Sequence, residues 1–196
     1  DGISGSFSTS LDGSFDGAID VKCRLEGMDL WMKFFDLGTE MIISESERRM
    51  FPTLKLSVKT NYIHGLFYLF LDIVPADQKQ YWYIAEHCWL AARNAQPSPP
   101  ARIYMHPDSP FTHDQLQQQV ILFDQAKLTS NDEENAGHFV LNSMHKYQPR
   151  VHVVRRDKNN PIRDPLTVQL SDESVRSFVF KETQFMAVTT FQSDRV

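Results

Sequence analysis

The sequence predicts an all-β domain, a sandwich or barrel of short strands with a few short helices. Three observations carry that expectation. Apolar residues come in short runs with turn residues between them, the spacing of strands rather than of long amphipathic helices. Several runs alternate apolar and polar side chains, the period-two pattern of a half-buried strand. Apolar residues make up 41% of the 196 residues and include 14 Phe, enough for one core of ordinary size.

The first twenty residues are Gly, Ser and Asp with scattered Phe. Such a composition buries too little apolar surface to offset the entropy of ordering. Residues 1–20 are therefore expected to form a flexible arm, with the folded domain at 21–196. Val21–Leu25 reads as a strand. Met28, Trp31 and Phe35 fall at i, i+3 and i+7, one face of a helix, and Gly38 follows as its stop. Thr39–Ile43 is extended again. Leu54, Leu56 and Val58 alternate with Lys55, Ser57 and Lys59, a strand with one wet face. Leu66–Val74 is apolar almost throughout, as a strand covered on both sides would be.

Tyr81–Tyr83 and Cys88–Leu90 supply further β segments. Ala95–Ala101 holds three prolines and reads as a surface loop. The HPDSP stretch after Met105 is turn chemistry. Thr112 with Gln115 three residues on forms a capping box, opening a short helix through Gln119. Val120–Phe123, Phe139–Leu141, Val151–Val154, Thr167–Leu170, Ser177–Phe180 and Phe185–Thr190 complete the strands. Pro149 lacks a backbone donor and disfavours helix at Gln148. A bend is expected there, grouping His145, Lys146, Tyr147, Gln148 and Arg150 at one end of a sheet. Arg155–Pro165 reads as a polar, mobile loop.

The net charge of −5 runs against the basic balance usual in nucleic-acid-binding modules. Four aspartates fall in the first twenty residues with no Lys or Arg, so the remainder is close to neutral. Lys146, Arg150, Arg155, Arg156, Lys158 and Arg163 form a modest basic region around Asp157 and Asp164. No apolar stretch approaches the roughly 18–20 residues that a membrane-spanning helix needs. Two cysteines, Cys23 and Cys88, are expected to be free and buried, in keeping with a reducing compartment.

The segment NSMHKYQPR (142–150) resembles the signature of the T-box family of transcription factors. Further segments agree in the same order: LWMKFFDLGTEMII, ERRMFP, YMHPDSP, KLTS and FKETQFMAVTTFQ. Six ordered matches from about Val21 to the chain's end are far more specific than one short motif. The resemblance implies an immunoglobulin-like β-sandwich or barrel of the p53-like transcription factor type. It also implies a nuclear regulator of RNA polymerase II transcription that binds double-stranded DNA bearing a GGTGTGA-type half-site. Transcriptional cofactors and a dimer on palindromic sites are the further partners it suggests.

By the same resemblance, the DNA-binding residues are Arg48, Arg49, Lys127, Thr129, Ser130, Thr189 and Gln192. Arginine suits a forked contact with guanine or with phosphate oxygens, and Arg48 is expected to read base edges. Lys127, Thr129 and Ser130 would meet the DNA backbone and so position the domain. The chain departs from the family pattern at several places. Glu45 and Glu47 stand where the family has Lys and Gly, and Ser130 and Ser193 stand where it has Asn. Phe191 replaces a Tyr. The family's minor-groove helix is expected to lie past Val196, outside this chain.

Catalytic chemistry is not expected. The sequence holds no nucleophile elbow, phosphate-binding loop or dinucleotide fingerprint. Its seven histidines and two cysteines show no metal-ligand spacing. No cofactor or metal is therefore expected. The alternative to a DNA-binding domain is a degenerate T-box fold acting mainly in protein–protein interaction.

Overall fold

The computed structural model describes residues 20–44, 48–86, 88–131, 137–172 and 174–193. The arm expected at 1–20 lies, apart from Asp20, outside the described residues. Among the described residues the chain is a β-sandwich with two short α-helices, as the alternation of its apolar runs requires. The largest sheet has, in spatial order, β2 (Glu40–Ile42), β13 (Phe185–Val188), β11 (His145–Arg156), β5 (Leu66–Ala85) and β6 (Cys88–Asn94). Two more strands join it: β12 (Val175–Val179) pairs with β11, and β7 (Ile103–Met105) pairs with β5. A second sheet holds β1 (Val21–Leu25), β4 (Lys55–Thr60) and β8 (Ile121–Leu122). A third holds β10 (His138–Val140), β9 (Lys127–Thr129) and β3 (Arg48–Arg49).

The main core lies between the first two sheets. Leu69, Leu71, Val151 and Val153 come from the large sheet; Leu25, Leu56 and Val58 come from the other. Helix α1 (Met28–Leu37) adds Trp31, its one fully buried side chain at 1% exposure, with Met28 partly buried beside it. Gly38 ends α1 at φ +82°, a left-handed angle that favours glycine. The capping box on α2 (His113–Gln118) is complete. The Gln115 N–H donates to Thr112 Oγ1 at 3.3 Å, and the Thr112 N–H donates to Gln115 Oε1 at 2.8 Å.

The back of the large sheet is also dry. Tyr68, Phe70, Val154 and Val175 form a second cluster, covered by Ile162, Val168 and Leu170. This explains why Leu66–Val74 carries no polar alternation.

Five expectations about the fold need correction. Thr167–Leu170 is not a strand. Pro165–Thr167 is a 3-10 turn opened by Asp164, whose carboxylate accepts the Leu166 N–H, and the Val168 and Leu170 side chains roof the sheet from irregular backbone. Arg155 and Arg156 belong to β11, and the Ile162 N–H donates to the Tyr68 hydroxyl at 3.2 Å, so this segment is docked. Tyr81–Tyr83 is the continuation of β5, not a separate strand. Cys88 is exposed; burial holds for Cys23 alone, whose thiol it pushes up to about 12. Beyond Tyr81, β5 pairs with β6 alone, and Trp82, Ile84 and Leu90 share one face of that ribbon at 60, 61 and 54% exposure.

Pro149 is likewise not a bend. The turn comes earlier, at Asn142–Met144, where Met144 takes φ +62°. Strand β11 runs straight through Pro149, paired to β5 without a break from Tyr147 to Arg156, with a register irregularity between His145 and Tyr147. On its other edge β11 pairs with β13 at Lys146–Tyr147 and with β12 from Arg150 onward. Pro149 sits at the change of partner, outside both the β13 and the β12 registers, where neither of those ladders calls for its missing donor. The Gln148 carboxamide fills the gap. Its Nε2 donates to the carbonyls of Pro149 (2.8 Å) and Phe180 (3.0 Å) and to Thr183 Oγ1 (3.2 Å).

On the back face, Asp72 stands in the centre of β5, 5% exposed. Its Oδ1 accepts from Arg150 Nε (3.0 Å) and is 2.9 Å from Nε2 of the buried His152, while Oδ2 accepts from the Arg150 guanidinium. Burial pushes the Asp72 carboxyl up, but the hydrogen bonds from His152 and Arg150 outweigh it and hold the group below the usual carboxylate range. The depressed value means that Asp72 adds stability above the unfolded carboxylate pKa, and that this is lost as pH falls through the folded one. Asp72→Ala leaves two cationic or polar groups without their partner and is expected to cost about 3 kcal/mol in urea unfolding at neutral pH. That is the lower end of the usual range, because Arg150 reaches solvent. The variant should also lose part of the wild-type destabilisation below about pH 4; an unchanged acid limb would remove Asp72 from that account.

Candidate nucleic-acid interface

The seven residues expected at a DNA surface come from three separated segments, and β2 is what draws them together. Strand β2 lies parallel to β13, with Met186 opposite Glu40 and Val188 opposite Ile42, and the Ile43 N–H donates to the Val188 carbonyl at 2.8 Å. One residue later β2 passes to the third sheet, where Ser44 forms a parallel bridge with Thr129. The Thr129 hydroxyl donates to the Ser44 carbonyl at 3.0 Å and accepts the Asn131 N–H at 3.0 Å. The large sheet and the third sheet are thereby joined through Ile43 and Ser44.

Arg48 and Arg49 form the outer strand of that third sheet, opposite Leu128 and Lys127 of β9. Both arginines are exposed. A two-residue strand at a sheet edge fixes the backbone while leaving long side chains free to reach outward. Strand β9 is held from behind by β10, with the Lys127 N–H donating to Gly137 (2.9 Å) and the Leu141 N–H to Thr129 (3.0 Å). Leu128 is fully buried and anchors the strand in the main core. Lys127 is half-buried and Ser130 is exposed. Thr189 and Thr190 follow β13 and are exposed; Gln192 is half-buried, with its Nε2 donating to the Thr190 carbonyl at 2.9 Å.

The structure thus brings Arg48, Arg49, Lys127, Thr129 and Ser130 into one small sheet, with Thr189–Gln192 linked to it through β2. Thr129 differs from the rest. It is 2% exposed and its hydroxyl is committed to the main chain, so it shapes the surface from beneath. Glu45 and Glu47, which depart from the family pattern, lie outside the described residues.

The basic region expected from Lys146 to Arg163 is a free cationic face only in part: Lys158 and Arg163 are exposed, and the other four cations are engaged. Arg150 is spent on Asp72. Arg155 stacks over the Tyr62 ring at 3.4 Å and pairs with Asp157, and Arg156 bonds Ser174 and approaches Asp172. Lys146 lies 4.7 Å from the centre of the Tyr81 ring. The signature residues around them are also structural. The Asn142 N–H donates to the Tyr147 hydroxyl (2.8 Å), and the Gln96 N–H donates to His145 Nε2 (3.0 Å), which leaves His145 Nδ1–H to donate to Ser143 O (2.8 Å). Two residues of consequence went unnoticed in the sequence, Glu40 and Asp72. Each is an acid embedded in an apolar strand, a signal for a buried carboxylate with assigned partners.

Fold and site together define an immunoglobulin-like β-sandwich of the p53-like type, with cationic side chains carried on a strand edge at the join of two sheets. Comparison with known proteins narrows this. The T-box family model matches residues 23–196. T-box protein 12 of Caenorhabditis elegans is 53% identical over 182 residues, 92% of this chain and 52% of its own length. T-box transcription factor TBX20 of Xenopus laevis is 46% identical across 90% of this chain and 39% of its own length. For T-box transcription factor TBX18 of Homo sapiens the figures are 43%, 88% and 28%. The chain belongs to the T-box family, and spans about half or less of the length of these relatives.

Thr129→Val keeps the shape but removes the donor to Ser44 and the acceptor for Asn131. It is expected to lower stability by about 1–3 kcal/mol, read as a reduced urea midpoint. A wild-type midpoint would show that the hydroxyl does not hold the join.

Proposed function

We propose that this domain binds double-stranded DNA sequence-specifically, in the nucleus, as part of a regulator of RNA polymerase II transcription. Its target is a duplex carrying a GGTGTGA-type half-site. The observation that carries the reading is the exposed Arg48–Arg49 edge strand, backed by Lys127 and rigidly tied to the large sheet. Arg48 reads base edges in the major groove, where a fork of N–H donors matches guanine O6 and N7. Arg49, Lys127 and Ser130 contact phosphates and set the register. Thr189 and Gln192 approach from the neighbouring segment, and Thr129 contributes through the shape of β9. Dimeric binding on palindromic sites and recruitment of transcriptional cofactors belong to the same reading, supported by membership of the family.

The test is fluorescence anisotropy with a labelled half-site duplex and a scrambled one across a salt series. The expected result is preference for the half-site, with log affinity falling by about 0.9 per phosphate contact for each decade of salt. Arg48→Ala should cost about 1–3 kcal/mol on the half-site and little on the scrambled duplex. An equal loss on both would make Arg48 a phosphate contact. No preference by the wild-type domain would turn the reading toward protein–protein interaction.

A further inference from the structure

Glu40 opens β2 within an otherwise apolar run and is 2% exposed. Its carboxylate is taken up by main-chain amides. Oε1 accepts the Gln192 N–H at 2.9 Å and Oε2 accepts the Ser193 N–H at 3.1 Å. The same strand also holds the other end of this segment, where the Ile43 N–H donates to Val188 O at 2.8 Å. Between the two anchor points Thr189, Thr190 and Phe191 stand exposed, Phe191 at 48%. The Gln192 carboxamide folds back on Thr190 and closes the loop. A surface loop is thus pinned at both ends to one buried strand.

A buried carboxylate is a costly way to fill space, and an apolar side chain would pack there at less expense of desolvation. What the carboxylate does that Leu or Met cannot is accept two consecutive amides. Those two bonds fix the backbone direction at Gln192 and Ser193. The geometry points to Glu40 as a positioning residue: it presets the Thr189–Phe191 loop for nucleic-acid contact by holding the backbone at Gln192 and Ser193. Glu40 itself is buried and touches no ligand. The inference rests on the DNA-binding reading above, and adds that the loop is ordered before binding. A preset loop loses less conformational freedom on association.

The test uses the whole chain and three variants: Glu40→Gln, Glu40→Asp and, on the back face of the large sheet, Val175→Ala. Glutamine offers one acceptor oxygen and turns an NH2 toward the second amide, so one bond is lost. Amide hydrogen exchange of Gln192 and Ser193 is measured without DNA, and anisotropy is measured on half-site and scrambled duplexes over salt. Both amides should be protected in the wild type, and at least one released in Glu40→Gln. Half-site affinity should fall about tenfold, with the salt dependence unchanged, because residues 189–193 carry no Lys or Arg. Val175→Ala should lower Tm and leave the protection of both amides and the half-site affinity alone. If Glu40→Gln does not fold, Glu40→Asp, whose carboxylate is one methylene short, is held to the same expectations.

Three outcomes overturn the proposal while leaving the DNA reading intact: free exchange of both amides in the wild type, wild-type half-site affinity in the folded Glu40 variant, or the same amide release and affinity loss from Val175→Ala. A wild-type domain that does not prefer the half-site overturns the DNA reading, and the loop's role in it, even where exchange shows the amides held.

Discussion

A strand that is buried on both faces and paired on both edges has no wet side, and nearly all the polar groups it carries find partners inside the protein. Strand β11 is in that position, with Gln148 Oε1 and Arg155 Nε as exceptions. It pairs with β5 along its length and hands its other edge from β13 to β12 at Pro149. The rest of the large sheet is arranged around this hand-over. Gln148 bonds the carbonyls exposed by the change of partner, Tyr147 accepts from the preceding turn, and His145 ties the strand to the Pro-rich loop through Gln96. Removal of any of these would leave a buried polar group unmatched rather than merely remove a contact.

That constraint explains which parts of the fold could be read directly. The alternation of Leu54, Leu56 and Val58 with Lys55, Ser57 and Lys59 is a local property of one strand with one wet face, and it appears unchanged in the burial of β4. The uniform apolar run from Leu66 reports cover on both sides, which the two clusters supply. Pro149 was misplaced because its cost depends on what lies across the sheet, and nothing local to KYQPR records a change of neighbour. Thr167–Leu170 has the composition of a strand yet lies across the back of the large sheet, where turn chemistry at Asp164–Pro165 decides its shape.

The site divides along the same line. The segments expected to meet DNA were named through the family resemblance, and their residues do gather in one region; their charge alone would not have singled them out. Of the basic stretch that charge did single out, Arg150, Arg155 and Arg156 are taken up by Asp72, Tyr62, Asp157, Ser174 and Asp172, while Lys158 and Arg163 are exposed. The most distinctive words of the sequence, around Tyr147 and Gln148, describe how the scaffold closes. Long-range partners decide whether a polar residue is an interface or an internal fastening, and Glu40 and Thr129 are on the internal side.

The three tryptophans sample this architecture unequally. Trp31 is sealed in the main core, Trp89 is half-covered against Tyr83, and Trp82 stands 60% exposed on the outer ribbon. Trp82 already emits from water in the native state, so its spectrum hardly changes when the chain opens. A red shift on denaturation therefore comes chiefly from Trp31, and a quencher added to the folded protein silences mainly Trp82. Intrinsic fluorescence separates the core from the ribbon without any label.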